Sequence, residues 1–215
     1  MIKPPGVYAP QGDTELLLEG LAGEELRPGT RSLDLCTGTG ILAIAAARRG
    51  TAATAVDVSR KALATAWLNA RMLDCRIRLL RGDLGEPVAG ERFDLVTVNP
   101  PYVPAEDPEP PTRGLDRAWD AGPDGRLLLD RICRQAPVLL SPTGVLLLVQ
   151  SSLSGVTATL DALRRAGLGA EVVRSRSQAF GPVMSARAQW FEDRGLVGTG
   201  LRSEELVVVR ATRAN

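Results

Sequence analysis

The chain has 215 residues, 44% of them hydrophobic, enough for one α/β domain with a substantial core. Its 26 Lys and Arg offset 25 Asp and Glu to a net charge of +1, so bulk charge supplies no grip on nucleic acid. There is no histidine, which excludes a Ser-His-Asp triad, a Cys-His pair and any histidine-containing metal site. Cys36, Cys75 and Cys133 form no CxxC pair and read as free thiols of a reducing cytoplasm. Met1 to Pro10 carries three prolines and no apolar run, unlike a signal peptide. Apolar stretches such as Val145 to Val149 are far too short to span a bilayer. A soluble cytoplasmic protein is expected, without a metal and without a membrane partner.

In chain order, Asp13 is expected to cap a helix through Leu16, Leu17, Leu18 and Leu21. Ser32 to Cys36 reads as a buried strand, followed by a Gly-rich turn and a helix from Ile41 to Arg49 closed by Gly50. A second strand covers Ala53 to Val58, and Ser59 caps a helix through Leu63, Trp67 and Met72. Strands follow at Ile77 to Leu80 and Phe93 to Val98. This alternation implies right-handed crossovers and a parallel sheet. Pro100 to Pro123 reads as a long functional loop, with Ala105 to Arg117 a candidate lid. A helix is expected over Asp124 to Leu140, ended or kinked by Pro137, then a strand at Val145 to Gln150 and a helix at Leu153 to Ala166. Strands at Ala170 to Arg174 and Glu204 to Arg210 flank a helix from Pro182 to Arg194. No repeat or linker divides the chain, so 1–215 reads as one domain. Its parts are an N-terminal helix region (1–30), a cofactor-binding half (31–98) and a substrate-binding half (99–215).

Asp34-Leu35-Cys36-Thr37-Gly38-Thr39-Gly40 leaves a strand and enters a helix, as ligand-cradling loops do. Asp57, followed by Val58, ends the next strand and suits a ribose diol, because a carboxylate only accepts hydrogen bonds. Asp83, followed by Leu84, ends the third strand, where it can accept from an adenine amino group or simply be solvated. Gly38 to Ala43 also fits a G-x-G-x-x-A dinucleotide fingerprint. Asp34 weighs against that rival, since a carboxylate there repels a pyrophosphate and tolerates an ammonium and a sulfonium.

Asn99-Pro100-Pro101-Tyr102 follows directly on the fourth strand, at the carboxyl end of the sheet. The Asn99 side-chain oxygen and the Pro100 carbonyl can each accept one N–H of a planar NH2 group. That aims its nitrogen at a methyl donor and stabilises the positive charge that develops there. Pro100 and Pro101 fix the backbone, and Tyr102 can cover the flat face of the group. A plain proline-rich turn is the bland alternative; the glycine loop, Asp57 and Asp83 at successive strand ends favour chemistry.

These two motifs resemble the HemK-type class I methyltransferases, which methylate the glutamine of the Gly-Gly-Gln motif in peptide-chain release factors. Val7 to Thr14 resembles the opening of the short HemK2-like branch. Ala118 to Arg126 resembles its Ala-Trp-x-Gly-Gly-x-x-Gly-Arg segment, and Glu204 to Val209 fits its close. The resemblance implies a Rossmann-like α/β fold: a seven-stranded, mostly parallel sheet, antiparallel last strand, helices on both faces. It implies S-adenosyl-L-methionine as cofactor, S-adenosyl-L-homocysteine as product, and a cofactor site lined by Thr14, Gly38, Asp57, Asp83, Leu84 and Asn99. Asn99, Pro100 and Tyr102 would hold the substrate nitrogen, with Trp119 near the pocket. Eukaryotic and archaeal members of that branch work with a small zinc-ribbon subunit. Three departures stand out: no N-terminal docking domain of the bacterial kind, Gln11-Gly12 ahead of Asp13, and a long segment from Ser177 to Arg202. That segment reads as a substrate wall or as a surface helix packing Met184 and Trp190 on the core.

The expected function is methyl transfer to a glutamine side-chain nitrogen of a protein such as a release factor. An adenine-N6 methyltransferase on DNA or RNA would use the same motif on another exocyclic NH2, but needs a basic surface. A non-catalytic cofactor-binding subunit is disfavoured by the intact Asn99 motif. A dinucleotide oxidoreductase is disfavoured by that motif and the missing histidine.

Overall fold

The computed structural model describes residues 1–109, 111, 114 and 116–213. Seven strands form one sheet: β1 (Arg31–Leu35), β2 (Ala52–Asp57), β3 (Ile77–Arg81), β4 (Phe93–Val98), β5 (Leu140–Ser151), β6 (Leu168–Ala179) and β7 (Ser203–Arg213). Their order across the sheet is β3-β2-β1-β4-β5-β7-β6. The first five pair in parallel, while β7 runs antiparallel to both β5 and β6. The strand order reverses beside β1, where β4 pairs on one side and β2 on the other, and ligands bind such sheets at that crevice. Register brings the carboxyl ends level: Leu35 lies opposite Val56 and Val98, and Asp57 opposite Arg81. Everything leaving these strands therefore emerges at one edge.

The helices are α1 (Gly12–Ala22), α2 (Ile41–Ala47), α3 (Arg60–Met72), α4 (Leu127–Leu139), α5 (Val156–Arg165), α6 (Pro182–Ala186) and α7 (Ala188–Asp193). The core runs through the sheet: Leu33 and Leu35 of β1, Leu95 to Val98 of β4 and Leu146 to Val149 of β5 are almost wholly buried. Leu16, Leu17 and Leu21 of α1 and Ile132 and Ala136 of α4 pack on it. Ser59 caps α3 as expected, its hydroxyl accepting from Ala62 N. Asp13 does not cap α1: Gln11 is the N-cap, and Asp13 lies in the first turn with its carboxylate turned inward.

Several boundaries differ from the sequence expectation. α4 begins three residues later than Asp124 and carries Pro137 within its last turn, where the lost bond to residue i−4 is followed by the end of the helix at Leu139. Leu140 is already strand. β5 and β6 have twelve residues each, longer than expected, because β5 enters through a register shift beside Phe93 and Leu95, and β6 continues as a polar edge strand to Ala179. The helix expected over Pro182 to Arg194 is broken at Arg187 into α6 and α7. Among the described residues no helix is long and apolar enough to cross a membrane.

Candidate active site

One cavity of about 600 Å³ opens over the carboxyl ends of β1 to β4. Of the residues read from the sequence, Thr14, Thr37, Gly38, Asp57, Val58, Asp83 and Leu84 line it. So do Asn99, Pro100, Pro101, Tyr102 and Trp119. Cys36 and Leu84 line it with positive φ, 57° and 49°, conformations that non-glycine residues rarely adopt and that cluster at functional sites.

The glycine loop is held by Asp57. Its Oδ2 accepts from Gly38 N at 2.9 Å and its Oδ1 from Ser59 N at 2.8 Å, so the strand end and the loop are locked together. Burial raises its carboxyl above the usual range, opposed by these bonds. Asp83 stands at the rim, paired with Arg131 at 2.8 Å and 41% exposed, so it is neither buried nor free.

Two of the expected cofactor residues stand elsewhere. Asp34 is 2% exposed and lies beneath the loop, its oxygens accepting from Thr37 Oγ1 (2.6 Å) and Thr97 Oγ1 (2.8 Å). Burial pushes its carboxyl up to about 7, so its electrostatic case against a pyrophosphate weakens. Gly40 is the N-cap of α2 at φ 82°, and a Cβ there would meet Ala66 Cβ of α3 at 2.8 Å. Its role is close packing of two helices. Asp34 has a consequence for stability. A carboxyl held at about 7 when folded and near 3.8 when unfolded makes the folded state bind more protons between those values. Stability then falls as pH rises across that window. Asp34→Asn is expected to flatten this slope; a melting curve series from pH 4 to 8 with unchanged slope would contradict it.

Asn99 Nδ2 donates to Thr14 Oγ1 at 3.2 Å across 85 residues of sequence. The Tyr102 hydroxyl donates to Asp13 Oδ2 at 3.1 Å, and Tyr8 donates to the same oxygen at 2.7 Å. The Tyr102 carbonyl accepts from Ser154 Oγ at 2.6 Å. The chain after the motif is tied down: Val103 N donates to Trp119 O and Ala121 N to Val103 O, with a parallel bridge between Val103 and Asp120. Arg187 adds bonds to the Pro104 carbonyl and the Asp120 carboxylate. The expected 100–123 loop is thus partly folded against the site. Pro110, Thr112, Arg113 and Leu115 of the expected 105–117 lid lie outside the described residues.

Sequence reasoning did not assign Tyr8, Asp13 or Glu204 to the site, yet all three line the cavity, as does Gln178. Glu204 Oε1 accepts from Gln178 Nε2 at 3.0 Å, while its buried Oε2 has no partner; burial raises its carboxyl. In the 177–202 segment Pro182 and Val183 line the cavity, Met184 lines it and packs into the core, and Trp190 packs against the core.

The family model described as "Methyltransferase small domain" matches residues 1–111, more than half of the chain. The chain belongs to this methyltransferase family. A putative protein N5-glutamine methyltransferase of Methanocaldococcus jannaschii is 36% identical over 169 residues, covering 78% of the methyltransferase described here and 84% of the relative. A release factor glutamine methyltransferase of Rhodospirillum rubrum is 42% identical over 147 residues, covering 64% of this methyltransferase but 45% of that longer chain. Among solved structures, one from the E. cuniculi Mtq2–Trm112 complex superposes with a TM-score of 0.68 at 23% identity, covering 97% of this chain and 99% of that one, a likeness of fold.

Proposed function

We propose that this methyltransferase uses S-adenosyl-L-methionine to methylate the side-chain nitrogen of a glutamine in a protein such as a peptide-chain release factor. The observation that carries the reading is Asn99-Pro100-Pro101-Tyr102 at the end of β4, lining one cavity together with the Gly38 loop and Asp57. Glutamine is the acceptor named for the relatives from M. jannaschii and R. rubrum.

The cavity's residues suit the cofactor. The Asp57 carboxylate keeps lone pairs beyond the two backbone bonds it accepts, for a ribose diol. Asp83, with Leu84 beside it, lines the same cavity and would accept from an adenine amino group. When bound, S-adenosyl-L-methionine supplies an electrophilic methyl and leaves as S-adenosyl-L-homocysteine. The chain's own residues then orient the acceptor. Asn99 Oδ1 and the Pro100 carbonyl take the two N–H groups of the amide, so its lone pair faces the methyl. Both acceptors stabilise the charge that grows on nitrogen. Tyr102 and Trp119 flank the planar group. Asp57→Ala is expected to weaken S-adenosyl-L-methionine binding about tenfold, since a charge-assisted bond and the loop anchor are both lost. Calorimetry showing unchanged affinity, or NAD binding to the wild type, would contradict the assignment.

Adenine N6 offers the same NH2, but a net charge of +1 supplies little hold on phosphates. The deciding experiment is labelled methyl transfer to release factors, tRNA and duplex DNA in parallel, with peptide mapping. Label on adenine and none on protein overturns the reading. The reading extends to a cytoplasmic setting among translation factors and to a small partner subunit, zinc-ribbon in type. Trp67, Leu68, Met72 and Leu73 expose apolar surface at the end of the sheet where β3 is the edge strand, a face suited to such a subunit.

A further inference from the structure

Asp13 collects more hydrogen bonds than its place in α1 requires. It is 3% exposed. Its Oδ1 accepts from Thr14 N at 2.5 Å and from Thr14 Oγ1 at 3.1 Å. Its Oδ2 accepts from Tyr8 at 2.7 Å and Tyr102 at 3.1 Å. Burial and the neighbouring carboxylates raise both phenols, so each keeps the proton it donates. Four donors on two oxygens demand a carboxylate, which only accepts.

That demand propagates. A threonine hydroxyl has one proton, and here Asp13 takes it. Thr14 Oγ1 is left with lone pairs, so the group beyond it must donate. That group is the Asn99 amide, 3.2 Å away. An Asn side chain can flip its oxygen and nitrogen at little cost unless its neighbours specify which is which. With Nδ2 committed to Thr14, Oδ1 is the atom left to face the cavity that Asn99 lines.

We infer that Asp13 is a positioning residue of the active site: through the Thr14 hydroxyl it fixes the polarity of the Asn99 amide, so that an acceptor faces the substrate, and through Oδ2 it holds the Tyr102 ring. It touches no substrate and acts by specifying hydrogen-bond direction. The inference rests on the reading of Asn99 as the holder of the acceptor NH2 group, whichever molecule carries that group.

The test has two parts. Asn occurs three times, at 69, 99 and 215, so selective 15N labelling gives three side-chain amide pairs, with Asn99→Asp identifying one of them. Thr14→Val, which keeps shape and loses the hydroxyl, is expected to speed solvent exchange of the Asn99 NH2 about tenfold, while Thr14→Ser preserves its protection. This readout needs no acceptor, so it stands apart from any failure to find label on glutamine. In turnover with the acceptor that wild type methylates, Asp13→Asn is expected to lower kcat about 100-fold. It leaves the acceptor KM and the cofactor Kd within about threefold. Thr14→Val loses most of that factor in kcat, Thr14→Ser recovers it, and the Asp13→Asn/Thr14→Val pair is no worse than Asp13→Asn alone, which also releases Tyr102. Unchanged Asn99 exchange in Thr14→Val, or multiplicative losses in the pair, would overturn the relay. A stability change with no change in kcat would do the same.

Discussion

Asn99→Ala is expected to abolish methyl transfer while S-adenosyl-L-methionine still binds within a few-fold of wild type. The substitution removes the amide oxygen that accepts an N–H from the substrate. The Pro100 carbonyl remains, so the acceptor keeps one hydrogen bond and loses its orientation. Losing a preorganised group aimed at developing charge costs about 100- to 1000-fold in kcat, and misalignment of the nitrogen adds to that. The fold has less at stake. Asn99 is half-buried and, among the described residues, its side chain makes one hydrogen bond, to Thr14. About 1 kcal/mol of stability is at risk. Labelled methyl transfer beside calorimetry of the cofactor separates the two effects. Undiminished turnover would remove Asn99 from the chemistry, and parallel loss of cofactor binding would make it part of the cofactor site alone.

What could be read in the sequence divides by the range of the interactions involved. Asp57 and Asn99 stand at the ends of short buried runs and Asp83 just past a third strand, and in a parallel sheet every such end faces the same crevice. The register confirms that geometry, with Leu35 level with Val56 and Val98. Asp34 was misplaced for a local reason. Alternation along β1 turns its side chain under the loop toward Thr97 of β4, and a sequence run cannot say which face is covered. The Asp13 network is not legible in the sequence because Tyr102 reaches it across 89 residues, and locally an Asp before a leucine run reads as a helix cap. β6 was cut short for another reason. From Arg174 to Gln178 it is polar and no residue is fully buried, so the apolar alternation that marks a strand is missing there. The break at Arg187 comes from tertiary demand: its guanidinium is drawn to Asp120 and the Pro104 carbonyl, which tethers the wall of the cavity to the chain after the motif.

That tethering gives Gly125 an unexpected weight. It lies 23 positions beyond Tyr102, yet a Cβ on it would stand 2.3 Å from the Tyr102 carbonyl oxygen and 2.9 Å from Ser154 Oγ. Ser154 is the donor that holds that same carbonyl. Gly125 also has φ 71°, a conformation an L side chain resists. Gly125→Ala therefore meets two separate penalties. The left-handed backbone costs about 1 kcal/mol. The clash is with backbone, which yields only if the Asn99–Tyr102 segment moves, and overpacking of that kind costs about 1–3 kcal/mol more. Gly90 provides the control. Its φ is 83° and nothing lies within 4 Å of its virtual Cβ, so Gly90→Ala pays only the backbone cost. For a chain of this size each kcal/mol shifts Tm by about 2–4 °C. Gly90→Ala is expected to lower Tm by about 3 °C, and Gly125→Ala by about 10 °C. Activity should separate them further. At a temperature where both variants are folded, Gly90→Ala keeps wild-type turnover. Gly125→Ala loses at least about tenfold in kcat, because relieving the 2.3 Å approach displaces Tyr102 by most of an ångström and carries Asn99 and the Pro100 carbonyl with it. Equal melting and equal turnover in the two variants would show that the motif does not depend on the turn at Gly125.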